Sequence, residues 1–92
     1  MLKTRKFDIA ELLETESDIQ EFLNEAAHSE DASEFIHALG IAARAKGMSD
    51  VARQAGVTRA SLYKSLSDNG NPEFATVMKV TRALGLHLTV AR

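Results

Sequence analysis

The chain has 92 residues, of which 45% are hydrophobic, which is enough for one globular domain and too few for two separate cores. It contains no cysteine, which excludes disulfides and thiolate metal sites, and no apolar run near the roughly 20 residues that span a bilayer. Residues 1–6 lack the apolar core of a secretory signal. We therefore expect a cytoplasmic protein that does not interact with membranes.

The net charge of −2 conceals two unlike segments. Residues 1–34 hold 3 basic and 10 acidic side chains, a balance of −7, whereas residues 35–92 hold 8 basic and 3 acidic ones, a balance of +5. Such asymmetry indicates two different surfaces. We expect a single domain in which an acidic helical segment, 1–34, packs on a basic segment, 35–92.

Along the first half of the chain, apolar residues at steps of three and four predict successive helices. Asp8 is expected to cap a short first helix and Ser17 a second, each by accepting hydrogen bonds from free backbone N–H groups. Either Asp31 or Ser33 begins a third helix. Gly47 ends it, because glycine adopts the backbone of a helix end with little strain.

The second half of the chain continues with three further helices. Ser49 is expected to cap the fourth helix and Thr58 the fifth. Residues 67–72 form a loop, because the proline that ends this stretch disfavours helix in the residue before it. The sixth helix follows, with Phe74 facing inward, and it ends at Gly85.

After the sixth helix, Leu86, Leu88 and Val90 alternate with polar residues, which is the pattern of a short β-strand. A lone strand leaves backbone N–H and C=O groups without partners. The simplest partner is the same strand of a second copy, so we expect these three residues to join a homodimer. Packing of their side chains against their own chain is the alternative.

Residues 48–66, MSDVARQAGVTRASLYKSL, meet the demands of a helix-turn-helix. Such a unit needs a small residue where its helices cross, a glycine in the turn, an apolar residue after the turn and an apolar inner face on the second helix. These positions are occupied by Ala52, Gly56, Val57, Leu62 and Leu66. Ser65 stands where many such motifs have an aliphatic residue, and we expect Leu66 to pack in its place.

The outer face of the second helix in this unit would then be free to enter the major groove of DNA. We expect Arg59, at the amino end of that helix, to contact a guanine with two hydrogen bonds. The candidate DNA-binding residues are Ser49, Thr58, Arg59, Ser61, Tyr63, Lys64, Asn69 and Asn71. Arg59 and Lys64 could instead be ordinary solvated charges, and Tyr63 could pack at a helix edge.

Three stretches resemble a known family: ALGIAARAKGM at 38–48, VARQAGVTRASLYKSLS at 51–67 and GNPEFATVMKVTRALGLHL at 70–88. They are similar to the "probable addiction module antidote protein" family, helix-turn-helix antitoxins related to HigA-type antitoxins and the Xre group. The likeness extends from about Phe7 to Val90. It implies an all-α, compact, lambda-repressor-like bundle of about five to six helices, and a homodimer that represses its own operon. It also implies a toxin partner of the RelE/HigB group, usually a ribonuclease that acts on translated messenger RNA.

The acidic segment is a candidate surface for that toxin. RNA-cleaving toxins tend to carry basic grooves, and opposite charge on two partners speeds their encounter and selects between partners. The candidate toxin-binding residues are Glu11, Glu14, Glu21 and Glu25. These side chains could equally serve only to keep the protein soluble.

No arrangement of side chains in the sequence suggests an enzyme, a cofactor or a metal site. His28, His37 and His87 are scattered and have no obvious acidic or nucleophilic partner in sequence. Three functions compete: a DNA-binding antitoxin, a free-standing repressor without a toxin, and a protein-interaction module that has lost DNA binding. A toxin gene beside this one would separate the first from the second, and salt-dependent DNA affinity would separate both from the third.

Overall fold

In a computed structural model of the chain, residues 8–92 are described and form one 3₁₀ helix and five α-helices. The 3₁₀ helix spans Ile9–Leu12. The α-helices are α1 (Glu16–Ala27), α2 (Ala32–Lys46), α3 (Met48–Ala55), α4 (Arg59–Ser65) and α5 (Phe74–Ala83). The prediction of an all-α fold is confirmed for these residues. The expectation about residues 1–6 lies outside the described part of the chain.

A capping box fixes the beginning of α1. The Asp18 N–H donates to Thr15 Oγ1 at 3.1 Å, and the Thr15 N–H donates to Asp18 Oδ2 at 3.1 Å. The helix therefore begins at Glu16, and the prediction that Ser17 caps it is wrong because Ser17 lies inside the first turn. Backbone hydrogen bonds from Thr15 and Glu14 hold the pKa of Asp18 below its ordinary value.

The predicted cap Asp8 is confirmed, and of the two alternatives for the next helix, Asp31 and Ser33, the structure has Asp31. Asp8 Oδ1 accepts from the Ala10 N–H at 3.1 Å and begins the 3₁₀ helix. Asp31 Oδ1 accepts from the Ser33 hydroxyl at 2.7 Å and from the Ser33 N–H at 2.9 Å, so α2 begins after Asp31. These two hydrogen bonds favour the charged carboxylate and lower the pKa of Asp31.

Gly47 connects α2 to α3 by itself. Its φ of 120° is open to glycine and strained for other residues, and its C=O accepts from the Val51 N–H at 3.0 Å. Because α3 follows at once, Ser49 is already helical. The prediction that Ser49 caps this helix is wrong, since no side chain caps α3.

The core lies where all five α-helices meet. Its fully buried large side chains come from α2 to α5 and the helix ends, and they are Leu39, Val51, Leu62, Val80 and Leu84. Ile19 and Leu23 of α1 join the same cluster, so the acidic segment packs on the rest of the chain through its apolar face.

Phe74 departs from the predicted core. Its side chain is 69% exposed, although helical periodicity places it in the same stripe as Val77 and Thr81. Phe74 is the first residue of α5, and the residues of this helix that reach the core come later, from Val77 onward. The prediction that Phe74 faces inward is therefore wrong, because the apolar stripe of α5 is covered by the core only from the second turn of the helix onward.

The predicted C-terminal strand is not seen, since residues 86–92 form neither helix nor strand. The Leu86 N–H donates to the Thr81 C=O at 3.1 Å, and the Leu86 side chain packs against the core, which closes the end of α5. Leu86 is therefore held by its own chain. Leu88 is 39% exposed and Val90 fully exposed, so pairing of these two residues with a second copy stays a prediction.

Candidate nucleic-acid interface

Helices α3 and α4 are joined by a turn of three residues, 56–58. Gly56 has φ 73° and ψ 29°, the left-handed backbone that ends α3. The Val57 N–H donates across this turn to the Ala52 C=O at 3.0 Å, and Val57 packs against the core. Ala52 is only 2% exposed, so the small residue lies inside, as the sequence predicts.

The inner face of α4 is anchored in the core. Thr58 caps this helix as predicted, accepting from the Ser61 N–H at 3.0 Å through Oγ1. Leu62 is completely buried and Leu66 is 5% exposed, while Ser65 is half-buried beside them. Leu66 therefore packs as predicted, and the two leucines fix which face of α4 points to solvent.

Three of the predicted DNA-binding residues meet on the outer surface. Arg59 Nη1 donates to Ser49 Oγ at 3.3 Å, and Arg59 Nη2 donates to Tyr63 Oη at 3.4 Å. The Arg59 guanidinium carbon also lies 5.5 Å from the centre of the Tyr63 ring, within the range of a cation–π contact. This exposed cluster of Ser49, Arg59 and Tyr63 links the beginning of α3 to the beginning of α4.

The cluster holds the guanidinium in place without consuming its capacity to bind. Arginine has five N–H donors, and these two long hydrogen bonds use two of them. The remaining donors are available for a planar acceptor pair. Because Ser49, Arg59 and Tyr63 are all exposed, solvent or a ligand can replace either bond at small cost.

The other candidates do not join this cluster. Thr58 and Ser61 serve the helix cap. Lys64, Asn69 and Asn71 are exposed. Within the described residues, 8–92, none of the three forms a hydrogen bond with Ser49, Arg59 or Tyr63. Lys64 nevertheless lies on the outer face of α4, whereas the two asparagines lie in the loop that follows it.

Ala60 was not predicted from the sequence, yet it lies at the middle of the exposed face of α4. At 100° per residue, its position falls between Arg59 and Tyr63 on one side and Ser61 and Lys64 on the other. An exposed alanine methyl group can contact the methyl group of thymine. Its signal in the sequence was the position itself, beside Lys64, which lies opposite the midpoint of the two buried leucines.

The model of the family described as "Probable addiction module antidote protein" matches residues 3–92. The chain belongs to that family. A protein of Haemophilus influenzae, described as an uncharacterized protein, is 50% identical to this antidote-family chain over 86 residues, which cover 94% of the chain and 89% of the relative. No solved structure matches the chain. Membership supports an antitoxin role and implies a cognate toxin partner.

The four predicted toxin-binding residues of this chain are all exposed, and they come from three parts of the structure. Glu11 lies in the 3₁₀ helix, and Glu14 lies in the link before α1. Glu21 and Glu25 are four residues apart on α1 and so share one side of that helix. Glu25 also lines a groove between the 3₁₀ helix, α1 and α2.

Residues 8–92 contain no group of three or more His, Asp or Glu side chains placed to hold a metal ion. Within the same residues, no helix has the length and hydropathy needed to cross a membrane.

Proposed function

We propose that this protein is the antitoxin of a type II toxin–antitoxin module. In this proposal it binds operator DNA as a homodimer, represses its own operon, and neutralises a RelE/HigB-like ribonuclease toxin by direct binding. It acts through binding alone and not as an enzyme, and it works in the cytoplasm, where translated messenger RNA is found. The observation that carries the DNA-binding half is the exposed cluster of Ser49, Arg59 and Tyr63.

The dimensions of α4 suit the major groove. An α-helix with its side chains is about 10–12 Å across, which fits a major groove about 12 Å wide, and α4 is a helix of seven residues. Leu62 and Leu66 anchor the inner face, so the helix can enter the groove as a helix-turn-helix recognition helix without exposing the core. Arg59 at its amino end would then face base edges.

Two observations support the toxin-binding part of the proposed function: membership in the antidote family and the negative charge of the acidic segment. Membership in the antidote family implies a toxin partner, and an acidic segment separate from α4 leaves a surface for that partner. For the homodimer, Leu88 and Val90 offer exposed apolar side chains next to backbone that is not part of a helix or strand. A second copy could pair with this backbone as a strand.

Fluorescence anisotropy tests the DNA-binding half. The duplex is the DNA directly upstream of this gene, the control duplex is the same sequence shuffled, and both are titrated across a salt series. We expect specific binding to the upstream DNA that weakens with salt. Arg59→Ala should weaken it roughly 5- to 150-fold, the value of one bidentate guanine contact.

Arg82→Ala is the matched control, because it removes the same charge from an exposed position on α5. We expect it to weaken binding far less. Equal, weak binding of both duplexes, or equal effects of the two substitutions, would contradict sequence reading by α4. A parallel titration with the purified product of the adjacent gene tests for a toxin partner.

A further inference from the structure

An open apolar groove lies between the 3₁₀ helix, α1 and α2, on the side of the molecule that carries the acidic segment. Its volume is about 630 Å³, within the range of ligand-binding clefts. The apolar residues that line it are Ile9, Phe22, Ala26, Ala38 and Ile41. Ile9 is 39% exposed and its neighbour Leu12 is 59% exposed, so apolar surface extends beyond the groove itself. Exposed apolar surface of this kind marks interaction sites.

The polar lining of this groove is acidic. Glu25 and Glu34 line it, as does Asp68 from the loop after α4, and no lysine or arginine among residues 8–92 does. Asp68 Oδ1 lies 3.1 Å from Nδ1 of His37, which also lines the groove. Neither Glu25 nor Glu34 forms an ion pair within residues 8–92, so both carboxylates are available to a partner. We call this feature the acidic groove.

We propose that the acidic groove is where the cognate toxin docks, by inserting a cationic amphipathic segment. The apolar side of the segment would cover Ile9, Phe22 and Ile41, and its lysine or arginine side chains would pair with Glu25 and Glu34. This inference rests on the toxin partner of the proposed function. Under this proposal, the surface of this chain that binds the toxin is one groove and not the whole acidic segment. The groove includes Glu25 and excludes Glu14 and Glu21.

The charge of the groove favours a cationic segment of the toxin over two other occupants, DNA and a second copy of this chain. DNA is excluded because its phosphates would face three carboxylates. A second copy bound through the same groove would bring both copies of Glu25 and Glu34 into one interface, since a two-fold contact uses the same patch twice. Like charges facing each other oppose association, whereas a cationic segment gains from both carboxylates.

Biolayer interferometry with the full-length protein tests the groove. The probe is the purified product of the toxin gene adjacent to this one, at physiological salt. The groove variant is Glu25→Lys with Glu34→Lys, and the matched control is Glu14→Lys with Glu21→Lys, which makes the same change in charge on exposed residues outside the groove. Circular dichroism establishes that each variant is folded.

We expect the groove variant to bind the probe at least about tenfold more weakly and the control to change affinity by less than about threefold. Ile9→Asn, which keeps the charge, should also weaken binding, because it removes apolar lining. Equal losses in both double variants would overturn the groove and leave the toxin partner standing. If the unaltered protein does not bind the probe, the toxin partner of the proposed function fails and the groove proposal fails with it.

Analytical sedimentation of the same variants tests the alternative that a second copy of this chain occupies the groove. We expect the groove variant to keep the oligomeric state of the unaltered protein. A change in oligomeric state with unchanged probe affinity would overturn the proposal in favour of a second copy.

Discussion

Substitution of Gly56 by alanine tests how the turn between α3 and α4 is maintained. Gly56 has a φ of 73°, in the left-handed region, and its N–H donates to the Arg53 C=O at 3.2 Å. A Cβ atom built on Gly56 meets no heavy atom within 4 Å. The variant Gly56→Ala therefore measures the backbone penalty alone, without a steric clash.

The expected loss follows from two opposing effects. The left-handed conformation costs an alanine residue about 1–2 kcal/mol. Alanine also restricts the unfolded chain, which returns about 0.4–1 kcal/mol. The free energy of unfolding should therefore fall by about 1 kcal/mol, which lowers Tm by roughly 4–8 °C in a domain of this size. The outer face of α4 is unchanged, so DNA affinity well below Tm should be retained.

Two further glycine variants make the test specific. Gly56→Asn should cost less than Gly56→Ala, because asparagine tolerates the left-handed region better. Gly70→Ala should cost more than either, because its Cβ would overlap the backbone carbonyl of Ser65, although the φ of Gly70 is not positive. Thermal unfolding followed by circular dichroism ranks the three. A loss for Gly56→Ala equal to that for Gly70→Ala would refute the argument that conformation alone requires glycine at this turn.

Two other predictions concern the core and the cap of α1. Leu62→Ala removes a completely buried side chain and should lower the free energy of unfolding by about 2–5 kcal/mol, whereas Phe74→Ala, at 69% exposure, should change it by less than about 0.5 kcal/mol. Denaturant titration measures both, and similar losses would contradict the assigned core. Because the pKa of Asp18 is lowered in the folded protein, its stabilising contribution is complete above the ordinary pKa of 3.8 and is lost as the pH falls through the folded pKa. Asp18→Ala should therefore lower Tm near neutral pH and lower it progressively less below pH 3.8. A difference in Tm that is the same at every pH would show that the carboxylate charge contributes nothing.

Features decided by a few neighbouring residues could be predicted from the sequence. Asp8 and Thr58 cap their helices as predicted, and Gly47 and Gly56 end theirs, because each depends only on backbone within four residues. The Ser17 prediction failed within the same local range. Thr15 forms a reciprocal capping box with Asp18. Its two hydrogen bonds stabilise the beginning of the helix more than the single hydrogen bond that Ser17 could accept.

Features decided by contacts distant in sequence could not be predicted in the same way. Periodicity assigns Phe74 to the inner stripe of α5, but whether that stripe is covered depends on where other helices end. The contact of Arg59 with Ser49 spans ten residues and depends on how α4 crosses α3. The acidic groove needs the 3₁₀ helix, α1, α2 and the loop after α4 to be placed together, so its lining could not be read from charge spacing.

The net negative charge of the chain is compatible with the proposed binding of DNA by α4. At physiological ionic strength, exposed charges are screened over about 8 Å, whereas the molecule is 48 Å along its longest axis. Part of the acidic charge is also paired locally, since Asp8 lies 3.1 Å from Arg44 and Glu16 lies 3.7 Å from Lys46. A phosphate at α4 therefore responds mainly to Arg59, Lys64 and their close neighbours. In the proposed function, segregation of charge along the chain lets one small core carry an anion-binding face and a cation-binding face. Asp68 lies at their border, because it lines the acidic groove and also a smaller groove that Tyr63 lines.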